Sequence, residues 1–471
     1  MRLGDICTKI GSGATPRGGQ ESYKSSGIPI IRSQNVLDWS FKDDGLAYID
    51  GVQADALANV EVLPGDVLLN ITGDSVARAC MVPTEQTPAR VNQHVAIVRH
   101  GDRLSPTYLL AFLQSIKPHL LSLASSGATR KALTKAMIEN IEIELPDIET
   151  QNRISWLIDC IQQKIMLNAR TNGYLEELLD AEFAEMQAEA DDTWKDASLL
   201  DIANYKNGLA MQKFRPQPGD KGLPVLKIRE LGQGECGPDA EWCSSDIEDS
   251  VHVRDGDLIF SWSGTLMLNF WAGGDAGLNQ HLFKVTSDKY PCWFYYMWTK
   301  HHMRRFIAMA KDRATTMGHI KRSALANAAV KIPSSDVLCS QTKAMQPLID
   351  EIVGLKIQSR KLANLRDALL PKLMSGEIDV SKVYLTQPNS HLSGFKNVYY
   401  RDSLARLFYC RQAPHTSERT TVVRKRRSSP LRPTFTSRMS PLTPPRSLRP
   451  ASRTCRPQAR QTRRGAPPSC S

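Results

Sequence analysis

The chain has 471 residues, 41% hydrophobic and 23% charged, which leaves room for about three domains at roughly 150 residues each and excludes collagen-like, mucin-like and wholly disordered classes. Its 60 Lys+Arg against 49 Asp+Glu give +11, but His391–Ser471 alone holds 18 of the cations and only two acids, Asp402 and Glu418, so the preceding 390 residues carry −5. No apolar run approaches the ~20 residues that a membrane helix needs, the first residues lack a signal-peptide stretch, and ten cysteines without a Cys-x-x-Cys spacing predict free thiols in a reducing cytoplasm.

In chain order, Leu3-Gly4-Asp5-Ile6 opens a β-rich region. Ile28 to Arg32, Val67 to Thr72 and Val95 to Arg99 are short runs of β-branched residues bounded by Gly, Pro and Asp. A helix is predicted from Pro106 to Ala124. A long one lies beyond Pro146, where Ile154, Ile158, Ile161, Ile165, Asn168, Asn172, Leu175, Leu179, Phe183 and Met186 follow steps of mostly four and three.

The same order then returns. Gly27-Ile28-Pro29-Ile30-Ile31-Arg32 recurs as Gly222-Leu223-Pro224-Val225-Leu226-Lys227, and Pro64-Gly65-Asp66-Val67-Leu68 as Asp255-Gly256-Asp257-Leu258-Ile259. Asn92-Gln93-His94 recurs as Asn279-Gln280-His281, at offsets drifting from 195 to 187. A helix from about Pro291 to Ala310 and a second long helix beyond Pro333 complete the copy. In that last helix Leu348, Ile352, Leu355, Ser359, Leu362, Leu365, Leu369 and Leu373 form the stripe. Two stripes with polar interruptions at mid-length fit two helices covering each other, or two amphipathic helices each packed on its own domain. Beyond Ser390, ten prolines, 16 Arg and no hydrophobic period mark a segment unable to bury a core. Its run Arg424-Lys425-Arg426-Arg427 suits nucleic-acid phosphates, or belongs to an incidental extension.

No phosphate loop, His-Glu-x-x-His or nucleophile elbow is present. His94 and His281 come without an oriented partner or nucleophile, so catalysis is not expected. What remains is polar chemistry that could meet base edges, since Asn and Gln pair with adenine and Arg and Lys with guanine. The candidates in the first half are Arg32, Ser33, Asn35, Thr72, Ser75, Asn92, Gln93, Arg130 and Lys131. In the second half they are Lys227, Arg229, Ser261, Ser263, Asn279, Gln280, Arg313 and Thr316. The repeated Asn-Gln pairs fit base contact and the holding of a turn equally well.

These residues carry a resemblance. Gly65-Asp66-Val67-Leu68 and Gly256-Asp257-Leu258-Ile259, each followed by Asn-Gln, belong to an ordered set. The set continues with Ile141 to Pro146 leading to Gln151, Val330 to Pro333 leading to Gln341, and the ending Leu369-Leu370-Pro371-Lys372-Leu373-Met374-Ser375-Gly376-Glu377-Ile378. Over about Leu3 to Val380 the chain resembles the specificity subunit of type I restriction-modification enzymes.

The resemblance implies an α/β (α+β) fold with two duplicated target recognition domains, residues 1–146 and 194–333. Between them would lie two long antiparallel helices, 147–190 and 334–380, forming a coiled coil; the disordered basic tail at 391–471 is read from composition alone. It further implies a non-catalytic, sequence-specific DNA-binding subunit in which each domain reads one half of a bipartite double-stranded target. The helices would set the spacing and dock two methyltransferase (M) subunits, with restriction (R) subunits joining. This chain would then hold no cofactor and no metal, S-adenosylmethionine and ATP belonging to the partners, and would work in the cytoplasm without membrane contact. A duplicated protein-binding scaffold and a stand-alone DNA-modifying enzyme are the alternatives. The basic tail departs from the family pattern, as does Leu178-Leu179-Asp180-Ala181-Glu182-Phe183 where a first Ser-Gly-Glu-Ile would stand.

Overall fold

The computed structural model describes residues 1–125, 131–311 and 318–383; the tail from His391 lies outside them. The chain is a mixed helix-and-strand protein in which one strand arrangement occurs twice. In the first half, strands Cys7–Ser12, Val95–His100, Val67–Asn70 and Ala79–Met81 lie side by side in that order, all antiparallel. A second sheet follows the order Ala47–Ile49, Ile28–Ile31, Ala89–Val91, Glu61–Val62, with its central pair parallel. The second half repeats both. Asn204–Asn207, Leu282–Thr286, Leu258–Ser261 and Met267–Phe270 form the antiparallel sheet. Trp242–Cys243, Leu223–Leu226, Ala276–Leu278 and His252–Val253 form the other, again with a parallel centre.

The repeated Gly-Asp turns show why these strands start where they do. Gly65 and Gly256 take φ of +85° and +93°, the left-handed region that favours glycine. The aspartate after each glycine closes the turn: Asp66 accepts the Leu63 N–H at 2.7 Å and Asp257 accepts the Arg254 N–H at 2.8 Å. Buried apolar strands follow, Val67–Asn70 and Leu258–Ser261.

The helix expected over Pro106 to Ala124 is two helices, Pro106–Ser115 and Lys117–Ser125, and the second-half counterpart is Cys292–Lys311. Its run of Trp293, Phe294, Tyr295, Tyr296, Met297 and Trp298 is wholly buried. The two long helices run Ile148–Ala188 and Ser335–Met374. Each follows a proline with a capping side chain, Asp147 accepting the Thr150 N–H and Ser334 the Val337 N–H, the usual satisfaction of a first-turn donor. Among the described residues no helix is long and apolar enough to cross a membrane.

The long helices pack against each other antiparallel, and both alternatives read from their stripes hold at once. Asn168 Nδ2 donates to Gln358 Oε1 at 2.9 Å and to Ser359 Oγ at 3.1 Å, Arg366 donates to Gln162 at 2.7 Å, and Arg153 reaches the Val380 carbonyl at 3.2 Å. Toward their ends the helices enter the two cores. Ile154 and Ile158 join Leu370, Leu373 and Val380 in the first-half core. Leu179, Phe183 and Met186 join Met345, Ile349 and Ile352 in the second-half core. The second stripe departs from its expected register at Leu365, which is 48% exposed while Arg366 and Leu370 are buried. Arg366 takes the inward position instead, bonded to Gln162 of the other helix and with the Trp39 ring against its guanidinium.

Truncating Leu179 to Ala removes a fully buried side chain and should cost about 2–5 kcal/mol. Met166→Ala, on the exposed face of the same helix, should stay within roughly 0.5 kcal/mol of wild type. Urea unfolding of both variants measures the contrast.

Candidate functional site

Three polar clusters of the first half meet at one place. Ser33, Gln34, Thr72, Gly73, Asp74, Ser75, Arg78 and His94 line an open cleft of about 450 Å³. Sequence spacing separates them, but Val67–Asn70 pairs with both neighbours and delivers the Thr72 turn beside the loops that follow Ile28–Ile31 and Ala89–Val91. Thr72 Oγ1 and His94 Nδ1 lie 2.7 Å apart, and Gln93 Nε2 lies 3.2 Å from His94 Nε2. Lys131 enters the same neighbourhood through its carbonyl, which accepts the Gly73 N–H.

The second half builds the corresponding place. Gly264 N–H donates to Gly318 O as Gly73 does to Lys131 O, and Ile320 N–H to Trp262 O as Leu133 does to Ile71 O. Trp262 packs against His281 and His319, ring centroids 5.9 and 6.4 Å away. Its indole donates to Asn207 Oδ1 at 3.1 Å. The aromatic thus replaces a buried Ile71, and the two surfaces share a frame while differing in chemistry.

The sequence candidates divide by burial. Asn35 is fully buried, its Oδ1 accepting the Arg32 N–H and its Nδ2 donating to the Lys42 carbonyl. Asn92 and Asn279 are buried as well, accepting the backbone N–H of His94 and His281 two residues on, a side-chain-closed turn. Ser261 donates to the Thr265 carbonyl at 2.8 Å, and Ser263 is buried beside it. These five hold loops. Arg32 is also engaged, donating to Gly45 O at 2.6 Å with its guanidinium 5.4 Å from the Tyr23 ring centroid.

Of the second-half cations, Lys227 pairs with Glu241 at 2.5 Å, and Arg229 with both Glu230 and Asp239. Those two hydrogen bonds push the Arg229 pKa up and keep it charged. Thr72, Ser75, Ser33, Gln93, Lys131 and Gln280 remain at the surface or half-buried. Arg130, Arg313 and Thr316 lie outside the described residues.

Arg78 was not among the sequence candidates. It is half-buried in the cleft and forms no ion pair among the described residues. The turn that carries it needs Ala77 at φ +68°. The only sequence signal was its position three residues after Ser75. Among the described residues no group of His, Cys, Asp and Glu could hold a metal ion.

Residues 1–177 match the family described as Type I restriction modification DNA specificity domain. The chain is similar to the type I restriction enzyme MjaIX specificity subunit of Methanocaldococcus jannaschii, 23% identical over 420 residues, covering 80% of this chain and 92% of that protein. It is also similar to the type I restriction enzyme EcoBI specificity subunit of Escherichia coli, 23% identical over 201 residues and 40% of each chain. Among solved structures, the S subunit of a type I restriction-modification system from M. genitalium matches with a TM-score of 0.48 at 12% identity, covering 79% of this chain and 95% of that one.

Burial separates loop-holding side chains from available ones, and stability can read the difference. Asn92→Ala and Asn279→Ala each remove a buried amide and leave a part-buried backbone donor without its acceptor, and should cost about 1–2 kcal/mol. Gln93→Ala, exposed beside Asn92, should change stability by no more than roughly 0.5 kcal/mol. Thermal melts of the three variants compare them directly.

Proposed function

We propose that this chain, whose residues 1–177 match the type I restriction modification DNA specificity domain, is the non-catalytic subunit that chooses the DNA target of a methyltransferase and restriction complex. The observation that carries this reading is the double occurrence of one strand arrangement with the same loop hydrogen bonds at the corresponding place, joined by a shared helix pair. Two equivalent frames with different lining suit two different half-sites in one duplex. The residues left over for DNA are Ser33, Thr72, Ser75, Gln93, Lys131 and Arg78 in the first half and Gln280 with the Trp262 surface in the second. Residues 1–146 and 194–333 are then the two target recognition domains, and 147–190 and 334–380 the spacer helices.

Partner docking follows from the helix surfaces. Met166 and Leu167 are 51% and 55% exposed at mid-helix, and Leu365 is exposed on the other helix. Apolar side chains of this kind suit burial against methyltransferase subunits, two of which the repeat accommodates, with restriction subunits joining them. S-adenosylmethionine and ATP chemistry belongs to those partners. The −5 charge before the tail offers little attraction for phosphates, so the partners supply backbone contacts.

Gel shifts with and without the co-expressed methyltransferase test the assignment. Weak specific binding is expected from the chain alone and tight binding from the complex. Nanomolar specific binding by residues 1–390 alone would contradict it.

The helix pair should also measure the gap between half-sites. Ile148–Ala188 spans about 60 Å at ~1.5 Å per residue. Four residues inserted in register beside Asn168 and Ser359 add ~6 Å, somewhat under two base pairs at ~3.4 Å each. Methylation-site sequencing should show a gap longer by one or two pairs with both half-sites kept. An active complex with an unchanged gap would mean the helices do not measure DNA.

A further inference from the structure

Two arginines of the second long helix reach out of the helix pair, each toward a different half. Arg360 makes a bidentate pair with Asp255, Nη1 to Oδ1 at 2.8 Å and Nη2 to Oδ2 at 2.7 Å. The Gly274 N–H donates to the same Oδ1 at 2.8 Å. A Cβ at position 274 would lie 3.2 Å from Arg360 Nη1, so a side chain there would push the guanidinium by a few tenths of an ångström. Asp255 stands where the repeat has Pro64, so this contact is no inheritance of the shared strand frame.

Arg366 lies 4.8 Å from the centroid of the Trp39 ring and donates to Gln162 on the other helix at 2.7 Å. Trp39 holds φ of +64°, a conformation costly for a residue with a Cβ. Its surroundings enforce that conformation: the Trp39 N–H donates to the Ala79 carbonyl at 3.0 Å, and Asp38 pairs with Lys117 at 2.5 Å. Strain kept in place at a contact between a loop and a helix suggests that the contact matters more than the loop.

The geometry of the rod gives these contacts a purpose. Each half is already anchored by apolar burial toward a helix end, at Met345 to Ile352 for the second half and Leu370 to Val380 for the first. That burial on both helices sets where a half sits, and a further point of attachment, inboard along the rod, restrains its angle. Arg360 stands eight residues inboard of Ile352, ~12 Å along the axis, and Arg366 four residues inboard of Leu370, ~6 Å. Six residues separate the arginines, ~9 Å and a turn of roughly 240°, so they leave one rod on different sides. On DNA one added base pair means ~3.4 Å and about 35°. A rod of fixed length whose ends pivoted would accept several gaps.

We infer that Arg360 and Arg366 are positioning residues that fix the angle of each half on the helix pair and thereby restrict the complex to a single gap length. The inference rests on the helices acting as a DNA ruler, so its test separates the two ideas. In the full chain with its methyltransferase partner, a donor and an acceptor dye are carried on non-natural residues at Val52 and Asp246, both exposed. Arg360→Ala and Arg366→Ala broaden the distance distribution between the dyes, and exchanging the pair (Asp255→Arg with Arg360→Asp) narrows it again. Asp255→Asn, nearly isosteric, makes the same comparison should the alanine variant fail to fold. Methylation-site sequencing then shows unchanged half-sites with a roughly tenfold loss of discrimination between neighbouring gap lengths, the scale expected from one partly buried bidentate pair. An unchanged distance distribution overturns the inference whatever the methylation pattern. A broadened distribution with one unchanged gap upholds the arginine contacts and overturns the ruler.

Discussion

Apolar burial of the ends of two antiparallel helices is the constraint on which the rest of this molecule depends. Each half closes one core between its own strands, but neither closes its other core without the long helices. The first needs Ile154 and Ile158 from one helix and Leu370 and Leu373 from the other, and the second needs Leu179, Phe183, Met345 and Ile349. Hydrophobic burial at both ends therefore does two things at once: it completes the cores and holds the helices side by side. Between the ends the seam is polar. Asn168 and Asn172 are buried, and Asn168 spends its amide on Gln358 and Ser359. A buried amide that fits one partner in one register disfavours sliding by a turn, and a distance held between two cores requires that register to be unique.

The sequence disclosed the duplication because the strongest repeated signals are structural. Gly65-Asp66 and Gly256-Asp257 recur since each turn needs a positive φ and a carboxylate to close it. Asn92 and Asn279 recur since each holds the turn after a strand. The same logic explains what was missed. Residues kept in both halves are those that the fold requires, so a list built on repetition favours buried loop-holders over available side chains. Arg78 stands out only once the strands bring its turn to the cleft, and Trp262 only once the halves are matched by their hydrogen bonds.

Other features were hidden for reasons of distance. Asp255 and Arg360 are 105 residues apart, and nothing in either local pattern announces the pair. The stripe of the second helix was legible through Leu355 but placed Leu365 inward, where Arg366 is the buried residue, bonded to Gln162 and set against the Trp39 ring. Periodicity reports which face of a helix is apolar, and a charged residue on that face escapes it.

The order in which the cores close has a consequence for synthesis. When residue 352 has left the ribosome, the second half possesses every segment of its core, including the earlier helix that already carries Leu179 and Phe183. The first half, though translated first, still lacks Leu370, Leu373 and Val380. Completion of its helix-facing core waits on contacts more than 200 residues apart, the kind of closure that slows folding, and until then the apolar patch that Leu370, Leu373 and Val380 cover is open to the solvent and to other nascent chains. The part of the protein made first is thus the part finished last, and a chain interrupted between Ile352 and Leu370 would carry a completed second half beside an unclosed first one.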